Sequence, residues 1–266
     1  MFADSLFPDT LHFSMSAALQ AILASALSSL LGLTGGFLLI WKDNLVKKFS
    51  HFFISFAAGA MIGAAFFDLI VEANDKFPDR LSTTFAWVMV GFFLFFIIER
   101  ILFWHHHSHS EDVHSEQKPI IPLIIIGDSI HNFIDGTVIA GTFLVSPALG
   151  IATSIAVFFH EIPQEIGDFS IMIHSGMRRQ AVVWWNLLGA LVSPIGTIIT
   201  LIIAERVHGL ELPLVGIAAG NFIYIAAADL IPEIHREKKL LMSMIQLGLM
   251  VTGLLVIVWL SRAFAG

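Results

Sequence analysis

Two short polar clusters interrupt long apolar stretches of this chain, and their side chains could bind a metal ion. The first reads His-Asn-Phe-Ile-Asp over residues 131–135, and the second reads His-Glu-Ile-Pro-Gln-Glu over residues 160–165. Imidazole nitrogens combined with carboxylate and amide oxygens suit Zn²⁺, Fe²⁺, Mn²⁺, Co²⁺ or Cd²⁺, whereas Mg²⁺ and Ca²⁺ prefer oxygen alone. Because the chain has no cysteine, thiolate ligands and disulfides are excluded. The clusters therefore predict a site for a divalent transition metal.

The polar residues of each cluster recur every three or four positions, which places them on one face of a helix. The first helix carries Asp128, His131, Asn132 and Asp135, and the second carries His160, Gln164 and Asp168, with Glu161 and Glu165 on the adjoining strip. The two helices are joined at Ser146-Pro147, so they must form an antiparallel hairpin. Both histidines lie about 20 Å from this turn. We therefore expect the clusters to face each other at the same depth.

Five carboxylates share this depth, and neither helix contains a lysine or arginine. They are Asp128, Asp135, Glu161, Glu165 and Asp168. Placing them charged and unpaired in hydrocarbon would cost about 12–17 kcal/mol, at about 2.5–3.5 kcal/mol each. Hydrogen bonding between helices could explain one or two of them but not the whole set, whereas water and a divalent cation can.

The elements that hold these clusters are apolar helices. Of the 266 residues, 56% are hydrophobic and only 13% are charged, against about 25% charged in a soluble domain. Eight stretches reach the roughly 20 residues that span a bilayer. They cover residues 15–41, 50–72, 84–104, 120–145, 147–173, 181–204, 211–232 and 241–262. We expect an all-α polytopic membrane protein in which residues 1–266 form one transmembrane domain within the lipid bilayer.

The distribution of charge predicts the orientation. Ten of the 14 lysines and arginines lie in the linkers after helices one, three, five and seven or, for Arg100, near the end of helix three, which places those linkers in the cytoplasm and both termini outside it. The predicted location is the plasma, or cell inner, membrane. The formal net charge of −7 is spread among helices and linkers and gives no indication of nucleic-acid binding.

An internal repeat relates residues 57–73 to residues 218–234. Nine of the 17 aligned positions are identical, and both segments contain Asp-Leu-Ile-x-Glu. The copies fall on predicted helices two and seven, which cross in opposite directions, so we expect helices 1–3 and 6–8 to form an inverted repeat of the kind typical of secondary transporters. The matched carboxylates would attract cations at two mouths: Asp68 and Glu72 outside, Asp229 and Glu233 in the cytoplasm. Simple solvated helix ends explain Glu72 and Glu233 equally well.

A histidine-rich cytoplasmic loop is predicted over residues 105–118. Its histidines are His105, His106, His107, His109 and His114. Such tracts bind transition metals weakly, so we expect loop metal binding, with a merely solvated polar loop as the alternative.

With these residues in place, the chain resembles the ZIP (Zrt-, Irt-like) family of divalent metal transporters. GDSIHNFIDG at 127–136 and HEIPQEIGDF at 160–169 are similar to the HNFxDG and HEIPHE motifs of one branch, and residues 174–191 are similar as well. The resemblance implies a first metal position at His131, Asp135, His160 and Gln164, and a second at Asn132 and Glu161, with Asp135 able to bridge. It also implies an elevator-like movement of metal toward the cytoplasm, a homodimer, and no cofactor beyond the transported metal.

Two departures from the family pattern affect the metal. Gln164 stands where this branch usually has histidine, which predicts weaker binding or a shift from Zn²⁺ toward harder ions such as Mn²⁺ or Fe²⁺. Ser193 stands where some prokaryotic relatives have a bridging glutamate, which favours one tightly held metal over two.

Two other functions remain open at this point. One is a proton-coupled carrier of another solute, with histidine and aspartate as a relay. The other is an intramembrane zinc metalloprotease, because residues 160–164 differ by one residue from the H-E-x-x-H signature. The missing second histidine and the proline at position 163 disfavour the protease. We expect a transporter rather than an enzyme.

Overall fold

The structure is a computed structural model that describes residues 15–107, 120–207 and 209–265. The all-α prediction is confirmed, since the described residues contain helices and no strand. The helices are α1 (Met15–Gly32), α2 (Thr34–Gly63), α3 (Ile70–Lys76), α4 (Leu81–His107), α5 (Ile120–Val145), α6 (Pro147–His174), α7 (Arg179–Ala190), α8 (Val192–Ala204), α9 (Glu211–Ile225), α10 (Ile231–Ile234) and α11 (Leu240–Ala265).

Six helical segments of the described chain are long and apolar enough to cross a membrane. They are Ala17–Trp41, Ser50–Lys76, Pro78–Ile101, Arg179–Ala204, Glu211–Ile234 and Leu240–Ala263. Helices α5 and α6 have 26 and 28 residues but are not among the six, because their polar clusters interrupt the apolar sequence. Large apolar side chains such as Trp184, Leu255 and Trp259 are exposed on the outer helices, as expected of a surface that contacts lipid. The chain is an integral membrane protein.

The hairpin of α5 and α6 begins its second helix with a well-formed cap. Ser146 has an extended backbone, and its hydroxyl oxygen accepts a hydrogen bond from the backbone N–H of Leu149 at 3.2 Å. Pro147 occupies the first helical position, where its missing N–H leaves no donor unsatisfied. These two residues end one helix and start the next, so the polar clusters of α5 and α6 lie side by side.

A glycine lets α8 approach α5 next to the predicted metal site. A Cβ atom at Gly136 would lie only 1.8 Å from the carbonyl oxygen of Ser193. The hydroxyl of Thr197 donates to the carbonyl oxygen of Gly136 at 2.9 Å. Small residues of this kind allow close helix contacts inside membranes, and here the contact falls beside Asp135.

The repeated segments are similar in backbone as well as in sequence. A π-helical turn (Ala64–Leu69) joins α2 to α3, and a second one (Ala226–Leu230) joins α9 to α10. In the alignment of 57–73 with 218–234, both turns end at the matched leucine that follows the repeated aspartate. Such turns are rare and occur often at functional sites.

The helices that carry the repeat also pack against their neighbours in the same way. In each pair, glycines of both helices lie against the backbone of the partner helix. Between α2 and α11, Gly59 lies against Met250 and Gly253 lies against Phe56. Between α9 and α4, Gly220 lies against Val88 and Gly91 lies against Ile217. The alignment relates Gly59 to Gly220, and Phe56 and Ile217 each immediately precede an aligned segment, so equivalent positions make equivalent contacts.

Candidate metal centre

Four predicted ligands converge between α5 and α6. The Nε2 atoms of His131 and His160 are 3.1 Å apart, and the Nε2 of His160 is 3.1 Å from Oδ2 of Asp135. The Nε2 of His131 lies 3.7 Å from that oxygen and 3.9 Å from Oε1 of Glu161. One ligand atom from each residue lies within 4.8 Å of the others, which is close enough to hold one ion. The prediction that the two clusters meet at one depth is confirmed.

The backbone of α6 orients the ring of His160. Its Nδ1 lies 3.3 Å from the carbonyl oxygen of Ala156. A carbonyl can only accept a hydrogen bond, so this contact requires a proton on Nδ1 and leaves the Nε2 lone pair of the neutral ring free for a metal. The ring of Phe222 on α9 packs edge-on against the imidazole, with 6.4 Å between ring centroids.

In the described part of the chain, the carboxylates at the centre have no partners other than the two histidines. Asp135 and Glu161 are fully buried, and apart from the histidine contacts their oxygens have no hydrogen-bond partner among the described residues. Within the same residues, no lysine or arginine forms an ion pair with them. Buried charge of this kind needs a counter-ion, and a divalent cation bound by the two histidines would supply it.

Other predicted site residues surround this centre. Asn132 and Glu165 are fully buried, Asp128 is nearly so, and Gln164 and Asp168 are half-buried on α6. Gln164 lies one helical turn after His160 on the same helix. Ser193 is buried beside Gly136, and its hydroxyl oxygen has no partner among the described residues.

The carboxylates predicted at the two mouths lie in different surroundings. Asp68 is buried, whereas Asp229 is exposed. Glu72 is half-buried, and Glu233 pairs with Arg236 at 2.8 Å on the surface. The predicted loop ligands lie outside the part of the chain whose side chains are described: His105, His106, His107, His109 and His114.

One polar contact inside an apolar span is not predicted by the sequence analysis. The hydroxyl of Tyr224 on α9 donates a hydrogen bond to Oε2 of Glu99 on α4. The amino-acid sequence does contain an indication of this contact. Tyr224 is the only tyrosine of the chain and lies in an apolar stretch, where a buried hydroxyl needs a hydrogen-bond partner.

An integral membrane protein with a buried imidazole–carboxylate centre can bind a divalent metal ion inside the bilayer. Comparison with known families gives the same result. The model of the ZIP zinc transporter family matches residues 15–121 and 104–261. The chain belongs to the ZIP family.

Individual relatives include zinc transporters from animals. The chain is 36% identical to human "Zinc transporter ZIP10" over 140 residues, which is 49% of this chain and 17% of the relative. It is 41% identical to the Drosophila melanogaster "Zinc transporter foi" over 133 residues, 50% of this chain and 18% of the relative. It is 27% identical to the Xenopus tropicalis "Metal cation symporter ZIP14" over 282 residues, 80% of this chain and 60% of the relative. The chain thus spans less than a fifth of the first two relatives.

Proposed function

We propose that this protein transports a divalent transition metal across a membrane, with Zn²⁺ as the expected ion and Fe²⁺, Mn²⁺, Co²⁺ and Cd²⁺ as further candidates. The observation that carries the proposal is the convergence of His131, Asp135, His160 and Glu161 within 4.8 Å inside a membrane protein. The ion is the substrate, and no separate cofactor is involved. Family membership and the printed names of the relatives support this function.

The chemistry of the centre favours a borderline metal over a hard or a soft one. Two imidazole nitrogens offer stronger bonds to Zn²⁺ than to Mg²⁺ or Ca²⁺, and the absence of thiolates disfavours Cu⁺. Asn132, Gln164 and Glu165 complete the proposed ligand set. Ser193 contributes at most a weak ligand, so we propose one tightly bound ion rather than a bridged pair.

The proposed architecture has eight transmembrane helices, with α5 and α6 as the central hairpin. An inverted repeat of helices 1–3 and 6–8 is supported by the matched π-helical turns and by the equivalent glycine contacts of the α2–α11 and α4–α9 pairs. We further propose that both termini face away from the cytoplasm and that the protein forms homodimers in the plasma membrane. Transmembrane helices one, four, five and six would slide against the other four as an elevator.

Uptake into proteoliposomes tests the function. Wild-type protein should accumulate radioactive Zn²⁺ above empty liposomes, and both His131→Ala and His160→Ala should reduce the rate by about 10-fold or more, because each removes a ligand of the central site. His51→Ala, an exposed histidine on α2, is the matched control and should transport normally. Unchanged uptake in both site variants would reject the site, and uptake of protons without any metal would favour a proton-coupled carrier of another solute.

A further inference from the structure

The first apolar span of the chain is interrupted where it passes the metal centre. Within the span Ala17–Trp41, α1 ends at Gly32 and α2 begins at Thr34, so Leu33 separates the two helices. Glycines stand on both sides of this break, at positions 32, 35 and 36, and all three lie against α6. The break therefore borders the helix that carries two of the four convergent metal ligands.

Gly32 lies directly against Glu161, which is one of those ligands. A Cβ atom at position 32 would lie 2.6 Å from the Cβ of Glu161 and 3.6 Å from its Oε2. The other carboxylate oxygen of Glu161, Oε1, is 3.9 Å from Nε2 of His131. The carboxylate thus lies between the backbone of Gly32 and the histidines, and a side chain at position 32 would push it toward the centre.

Gly35 supports the same turn of α6. A Cβ atom at position 35 would lie 2.5 Å from the carbonyl oxygen of Ile162, the residue that follows Glu161. The next residue is Pro163, which has no N–H and cannot donate a hydrogen bond to the carbonyl oxygen of Phe159. Because this turn lacks one backbone hydrogen bond, it moves more easily than the rest of α6.

The atoms nearest to these two glycines cannot rotate out of the way. The Cβ of Glu161 and the carbonyl of Ile162 are fixed to the backbone of α6, so an added methyl group must displace the backbone itself. The contact at Gly189 on α7 is different, because a Cβ atom there would lie 2.1 Å from Oδ2 of Asp128, which is the end of a side chain. Gly32 and Gly35 therefore control where the ligand-bearing turn of α6 lies.

We infer that Gly32 and Gly35 set the width of the metal centre, and that the space they leave behind Glu161 allows the centre to hold Cd²⁺ as well as the smaller Zn²⁺. The four ligand atoms already lie within 4.8 Å of one another. A shift of Glu161 toward the histidines would shorten these distances, and the larger ion, which needs longer bonds to its ligands, would lose more affinity than the smaller one. The inference rests on the proposed function, because it requires Glu161 to bind the transported ion.

Competition between the two ions for the purified full-length protein tests the inference. Radioactive Cd²⁺ is bound first and displaced with Zn²⁺, which gives the ratio of the two dissociation constants. Binding that survives in His160→Ala belongs to other sites and is subtracted. The site variant is Gly32→Ala. The matched control is Gly36→Ala in the same span, where the added Cβ atom would lie 2.4 Å from the ring of Phe169, eight residues beyond Glu161.

In Gly32→Ala, the ratio of the Cd²⁺ to the Zn²⁺ dissociation constant should rise by about tenfold or more, the lower end of the effects seen when a residue that positions a ligand is changed. Gly36→Ala also loses packing against α6 but should keep the wild-type ratio. Adding Glu161→Asp to Gly32→Ala should lower the ratio again, because the shorter side chain restores the space. If Gly32→Ala does not fold, judged by its melting temperature, Gly35→Ala replaces it with the same expected rise.

An unchanged ratio in Gly32→Ala, or an equal rise in Gly32→Ala and Gly36→Ala, would overturn the inference. Failure of the proposed function gives a different result, namely no Zn²⁺ uptake by wild-type proteoliposomes. Normal uptake by the wild type, together with the same ratio in every glycine variant, would refute the role of the glycines alone.

Discussion

The two copies of the Asp-Leu-Ile-x-Glu segment share their sequence but not their surroundings. Asp68 is only 4% exposed, lies close to Ser261 and Arg262 of α11, and has an oxygen without a partner among the described residues. Asp229 is exposed, and its ionisable neighbours include Glu99 and His160. The same motif is therefore enclosed at one end of the molecule and accessible at the other.

The repeat therefore does not make the two ends of the molecule equivalent. A transporter that alternates its access must close one end of the route while the other is open. The exposed Asp229 has His160 of the metal centre among its ionisable neighbours, so we expect this end to be the accessible one.

The largest expected effect concerns chemical access. Since the chain has no cysteine, Asp68→Cys and Asp229→Cys each carry a single thiol. We expect a polar thiol reagent to modify the cysteine at position 229 faster by about 100-fold, because a buried thiol reacts only after local opening. Glu205→Cys, at an exposed position, gives the upper limit of the rate. Equal rates at positions 68 and 229 would contradict the contrast.

The hydrogen bond between Tyr224 and Glu99 stabilises the accessible end. Tyr224→Phe removes the donor and should lower the free energy of unfolding by about 1.5–3 kcal/mol, since the acceptor is a carboxylate. Thermal denaturation in detergent measures the change. The control combines Tyr224→Phe with Glu99→Gln in one double variant. If the loss of unfolding free energy in the double variant equals the sum of the losses in the two single variants, the hydrogen bond contributes nothing.

Gln164 lies between the two ends of the molecule, and its substitution tests which metal ion the centre prefers. Gln164→His replaces an amide oxygen with an imidazole nitrogen one helical turn after His160 and should raise the affinity for Zn²⁺ relative to Mn²⁺ by about tenfold. Competition between the two ions in the uptake assay measures the ratio. Gln20→His, at an exposed position on α1, is the control, and an unchanged profile in Gln164→His would show that the residue does not set selectivity.

The smallest effect is expected at the surface pair of Glu233 and Arg236. The arginine side chain is 78% exposed, so Arg236→Ala should change stability by less than about 1 kcal/mol and leave uptake unaltered. The melting temperature and the Zn²⁺ uptake rate check this. A large loss of uptake would mean that Glu233 belongs to the route and depends on Arg236 for its position.

Much of the centre could be predicted because the relevant spacing is local. Residues three and four apart share a helix face, and the tight turn at Ser146-Pro147 allows only a hairpin, so His131 and His160 had to meet. The contact of Tyr224 with Glu99 could not be predicted in this way, because the two residues are far apart in sequence and nothing local states which helices are neighbours. The low exposure of Asp68 depends on α11 for the same reason.

Helical periodicity and apolar length act within short segments, so the amino-acid sequence is sufficient to predict an all-α membrane protein whose two polar clusters face each other. The packing of distant helices decides which polar groups form the centre and why the repeated aspartates lie in opposite environments. It also buries Glu165, whose oxygens have no hydrogen-bond partner among the described residues. Those properties depend on how distant helices pack, and glycines such as Gly136 and Gly189 permit that packing only where a particular neighbour approaches.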